Sequence, residues 1–121
     1  GTSGAQICNT LNSLLSKTSD TRRFQRVTIS TAALETSVRS SLRNDFPLTL
    51  NVKEMPNYTS GSGHFIAVKG YYFNTSTDFK TITICDPHPT YSGTYTYTLE
   101  EMETAVESSN GYYNRLDAST V

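Results

Sequence analysis

An α+β fold is predicted by three observations. Apolar residues recur three or four positions apart in residues 2–16 and 30–46, alternating apolar and polar residues fill much of the stretch from 48 to 97, and a capping-box spacing opens one further helix at Thr98. From Thr2 to Ser16, the residues Ile7, Cys8, Leu11, Leu14 and Leu15 fall at helical spacing behind the small-residue turn GTSG, which predicts a buried first helix. The polar, partly basic SKTSDTRRFQR has no period and is expected to be a loop. In STAALETSVRSSLRNDF the helical period returns, with Leu34, Val38 and Leu42 four apart and Ser30 or Thr31 as the cap. Phe46-Pro47 ends that helix, because the residue before a proline is pushed out of the helical region.

PLTLNV alternates through Leu48, Leu50 and Val52 as a half-buried strand. A loop holding Pro56, Gly61 and Gly63 then leads to two apolar strands, one opened by His64 and one closed by Asp86, joined across residues 71–79. GTYTYT alternates tyrosine and threonine as a strand with one packed face does. Thr98 and Glu101 make the capping box of the last helix, with Leu99, Met102 and Val106 as its inner stripe. YYNRL predicts a short final strand, and residues 116–121 are expected to be a frayed tail or linker. There is no internal repeat, and residues 1–121 are expected to form a single domain.

Ten Lys plus Arg against eleven Asp plus Glu give a net charge of −1, so no global field attracts phosphate backbones or anionic lipid. Nucleic-acid and membrane-surface roles are therefore not expected. No apolar run approaches the roughly 20 residues that span a bilayer, and the chain does not open with a signal-peptide pattern. Two cysteines, Cys8 and Cys85, are too few for a disulfide scaffold. A surface rich in Ser, Thr, Tyr and Asn and poor in Lys and Glu points to an extracellular or cell-surface bacterial module. The sequons at Asn57 and Asn74 matter only where the source glycosylates.

The stretch SGSGHFIAVKGYY, followed by TITICDPHP, carries the functional signal. Alternation places His64 on the apolar face of its strand with Ile66 and Val68, and Asp86 on the apolar face of its strand with Ile84 and Ile82. An antiparallel register with His64 opposite Asp86 pairs Ile66 with Ile84 and Val68 with Ile82, burying all four aliphatic residues together. The carboxylate would then accept the imidazole N–H and fix its tautomer, as a general base requires. The plainer alternative is that Asp86 only opens the DPHP turn and His64 only caps a strand.

GHFIAVKGYY followed by TITICDPHP resembles the histidine and aspartate strands of bacterial papain-like cysteine peptidases, the group related to the bacteriocin-processing, double-glycine-leader peptidases. GTSGAQICNTLNSLL is similar to the continuation of that family's first helix, and a second helix leading into a Pro-Leu strand agrees with its order. The resemblance implies a papain-like fold, with a buried N-terminal helix and a second helix packed on an antiparallel sheet, in a module of a larger secreted protein. It implies His64 and Asp86 as catalytic residues, Thr2, Ser3, Gly63 and His88 along the groove, a peptide or protein as substrate or ligand, and no cofactor. It also places the nucleophilic cysteine immediately before, or in place of, Gly1, where this chain has none, and an oxyanion-hole glutamine further upstream. The chain as given is therefore expected to be inactive as a peptidase. The alternative is a degenerate peptidase fold that binds a peptide or protein.

Other constellations are less favourable. Cys8 falls on the apolar stripe of the first helix and reads as a small core residue; Thr2 and Ser3 read as helix caps. A zinc site from His64, Cys85, His88 and Cys8 is disfavoured, because strand parity turns Cys85 away from His64 and Asp86. A Cys8–Cys85 disulfide is open to an oxidising compartment, though two lone thiols are favoured. The tyrosines at 71, 72, 91, 95, 97, 112 and 113 could furnish an aromatic binding surface for peptide or sugar, but such residues are more often the wet side of a sheet.

Overall fold

The computed structural model describes residues 12–14, 16–17 and 22–117. Six strands form one antiparallel sheet: β1 Arg23–Thr28, β2 Leu48–Met55, β3 Tyr58–Asn74, β4 Phe79–Asp86, β5 Gly93–Thr98 and β6 Tyr112–Asp117, in the order β1-β6-β2-β3-β4-β5. Two helices, α1 Thr31–Arg43 and α2 Leu99–Glu107, pack on one face. The α+β class and the antiparallel sheet are as expected from the sequence. Among the described residues, no helix is long and apolar enough to cross a membrane.

Both helices start where the sequence places them. Ser30 caps α1 by accepting from the Ala33 amide at 3.0 Å, and α2 carries a complete capping box, with Thr98 Oγ1 accepting from the Glu101 amide and Glu101 Oε1 from the Thr98 amide. Leu34 and Val38 of α1 and Leu99, Met102 and Val106 of α2 are buried against Leu50, Val52, Ile66, Ile82 and Ile84 of the sheet. Tyr113 is also fully buried, its hydroxyl 2.6 Å from Ser37 Oγ and donating to the Ala33 carbonyl.

Several expectations are corrected. Part of the supposed loop SKTSDTRRFQR is the edge strand β1, whose Phe24 backbone makes two hydrogen bonds with a single side chain: Asn12 Nδ2 donates to its carbonyl and its amide donates to Asn12 Oδ1. The side-chain amide there takes the place of a strand partner. Leu14, expected on a buried helical stripe, is exposed, and of the first helix only the turn at residues 12–14 lies within the described residues. The loop expected around Gly61 and Gly63 belongs to β3, which begins at Tyr58. β6 extends through Asp117 and buries Leu116 against Phe24, so both of these residues are paired strand rather than tail. The tyrosines divide: Tyr113 is core, Tyr71, Tyr95 and Tyr97 pack against the core, and only Tyr72, Tyr91 and Tyr112 are exposed.

Candidate active site

Two irregularities in β3 position His64. Val52 faces His64 but Glu54 faces Thr59, so residues 60–63 bulge out of the ladder. Gly63 takes a φ of +88° at the end of that bulge, a conformation side-chain-bearing residues rarely adopt, and its carbonyl accepts from Ser60 Oγ. The second bulge, at Lys69, lets Ile66 and Val68 before it and Tyr71 and Phe73 after it all reach the helix-covered face.

The expected register between the histidine and aspartate strands is not the observed one. Val68 pairs with Ile84 rather than Ile82, and Tyr71 pairs with Ile82, so the strands are offset by two residues from the expected alignment. An offset of two preserves which face each side chain occupies, so alternation alone does not distinguish the two registers. His64 and Asp86 become diagonal neighbours, a separation of about 7–8 Å between backbones that an imidazole bridges. His64 Nε2 lies 2.6 Å from Asp86 Oδ1.

The Asp86 side chain is completely inaccessible to solvent, and its charge is met by three donors. Oδ1 accepts from His64 Nε2 and, at 2.9 Å, from the His88 amide; Oδ2 accepts from the Tyr58 hydroxyl at 2.5 Å. Burial pushes the carboxyl up, but the hydrogen bonds from Tyr58, the His88 amide and His64 outweigh it and hold Asp86 below the usual carboxylate range. Burial and the hydrogen bond to Asp86 push the Tyr58 hydroxyl well above the ordinary phenol range. Tyr58 is therefore a fixed donor at neutral pH, and Asp86 a fixed anion.

Asp86 thus performs both roles that the sequence leaves open. Its bond to the His88 amide, two residues on, is the turn-opening contact of an aspartate before proline, and the same oxygen holds His64. His88 continues the turn: its Nδ1 accepts from the amides of Thr90 and Tyr91, so in the neutral ring the proton sits on Nε2. The rings of Tyr58 and Tyr91 stack at 4.5 Å and 4°, and His88 stands between them and His64, 4.7 Å from Tyr58 and 5.4 Å from His64.

His64 is partly exposed, with 18% of its side chain accessible. Its Nε2 is engaged by Asp86, and among the described residues Nδ1 has no hydrogen-bond partner. The arrangement can hold an imidazole in one orientation through Nε2 while Nδ1 exchanges a proton with another group.

Of the sequence-derived site residues, His64, Asp86, Gly63 and His88 come together, although Gly63 and His88 act through backbone and turn geometry. Thr2, Ser3 and Cys8 lie outside the described residues. Cys85 is on the opposite face from the His64 and Asp86 side chains, beside a cavity of about 370 Å³ lined with Thr49, Phe65, Ile66, Ala67, Asp86 and Pro87. Strand parity thus separates Cys85 from the histidines, as the sequence indicates. Tyr58, the first residue of the histidine strand, was missed, and its only sequence signal is an aromatic residue six positions before His64. No family model, curated protein or solved structure matches the chain.

Proposed function

We propose that the domain is a papain-like cysteine-peptidase-like module in which His64 is the general base and acid and Asp86 orients it. One observation carries this reading: a fully buried, triply hydrogen-bonded carboxylate holds Nε2 of a partly exposed histidine whose Nδ1 has no hydrogen-bond partner among the described residues. In the full-length protein the nucleophile would be a cysteine directly preceding Gly1. Nδ1 of His64 takes the thiol proton, the thiolate attacks the scissile carbonyl, and the imidazolium returns the proton to the departing amine. Water then releases the acyl group from sulfur by the reverse exchange. A bacterial extracellular setting is part of the same proposal and rests on composition alone.

The test uses a chain extended upstream of Gly1 and a thiol-directed, peptide-based covalent probe. A cysteine immediately before Gly1 that labels at neutral pH, and labels about 100-fold more slowly in His64→Ala, is the expected result. Labelling confined to Cys8 or Cys85, or another residue at that upstream position, counts against peptidase chemistry. The second reading, a peptide-binding module that performs no hydrolysis, is favoured by the Tyr58–Tyr91 stack, which presents a half-exposed aromatic face beside His64. Peptide binding without probe labelling would select it.

A further inference from the structure

We propose that the groove between the β2–β3 turn and α2 receives a lysine or arginine side chain of a bound peptide, and this rests on the peptide-directed reading above. The groove encloses about 400 Å³ and is lined by Glu54, Met55, Pro56, Glu100, Glu101 and Thr104. That is within the range of about 300–1,000 Å³ of small-ligand sites. Met55 forms its buried apolar wall, and the carboxylate-bearing Glu54, Glu100 and Glu101 are exposed around it.

Charge decides the occupant. Among the described residues, no Lys or Arg forms an ion pair with any of these three glutamates, and Glu101 already spends Oε1 on the Thr98 amide. The start of α2 contributes roughly half a positive charge, which leaves the rim strongly anionic. Three of the eleven Asp and Glu residues of the chain stand on this rim. Lys and Arg lay an aliphatic stem along apolar surface and keep a cationic head among polar groups, which matches an apolar wall under a carboxylate rim. An uncharged aliphatic side chain would gain only the wall, and an acidic one would be repelled.

Tyr58 links the groove wall to the dyad. Met55 pairs with Tyr58 across the turn, and Tyr58 donates to Asp86, so a single strand pair separates the two.

Short, terminally blocked peptides that differ only in a central lysine, norleucine or glutamate test this by amide-shift titration of the isotope-labelled domain. The lysine peptide should move the Met55 and Thr104 amides and bind about tenfold more tightly than the norleucine peptide. Its affinity should fall about fivefold in the double variant Glu54→Gln/Glu100→Gln, and fall further between about 50 and about 500 mM salt. Equal binding of lysine and norleucine peptides overturns the inference. So does a lysine peptide that moves the His64 and Asp86 amides but leaves the groove unmoved, and in that case the peptide-directed reading survives. Lysine-selective groove shifts without thiol-probe labelling support the groove while failing the peptidase reading.

Discussion

Replacing Tyr58 with phenylalanine removes one of the three donors to a carboxylate that has no access to water. A hydrogen bond to a buried charge is worth about 1.5–3 kcal/mol, so Tyr58→Phe is expected to lower unfolding stability by about 2 kcal/mol in denaturant titrations. The Asp86 carboxyl should rise toward its ordinary value, which carboxylate-resolved NMR titration would read. The pH dependence follows from the direction of each shift. Asp86 is held low when folded, so its contribution is complete above the ordinary carboxylate value of about 4 and is lost as pH falls through the lowered one. Tyr58 is held high, so its contribution is complete below about pH 10 and is lost as pH rises toward the raised value. Asp86→Asn should flatten the acid limb of a stability profile, and Tyr58→Phe the alkaline one. A Tyr58→Phe profile whose alkaline limb matches the unsubstituted protein would remove the phenol from this account of the site.

Individual elements differ in how much of their cause lies within their own residues. The caps of α1 and α2 close within three residues, which is why Ser30, Thr98 and Glu101 were legible. Thr98→Ala is expected to cost about 1 kcal/mol by thermal or denaturant unfolding. β1 was not legible, because a short strand rich in arginine owes its conformation to pairing with β6, which lies almost the whole chain away. The bulge at residues 60–63 was read as a loop for a similar reason: its glycines are loop signals, and only the pairing of Thr59 with Glu54 reveals a continuing strand. A methyl group at Gly63 would meet only ordinary contacts at 3.7–3.8 Å, so the cost of Gly63→Ala lies in the backbone conformation rather than in a clash. We expect a loss of about 1–2 kcal/mol with altered amide shifts at His64 and Val52. Unchanged stability would show that the bulge relaxes freely and does not position the histidine.

At the scale of the whole molecule, β6 is the element on which the topology depends. It lies between β1 and β2, and carries Tyr113 into the core beneath α1. A chain ending at Asn110 should therefore lose cooperative unfolding and the dispersed amide spectrum of the folded state. The strand order was not legible, because no local pattern says that the final strand inserts between the first two. The His64–Asp86 contact was legible in spite of a wrong register, since the face each residue occupies survives an offset of two. Tyr58, 28 residues from Asp86, depended on that topology and was missed. The most direct measurement is nitrogen-15 NMR of the His64 ring at neutral pH. A proton on Nε2, shifted downfield by its bond to Asp86 and returned upfield in Asp86→Asn, is the expected result; a neutral ring protonated at Nδ1 and indifferent to Asp86→Asn would contradict the proposed base.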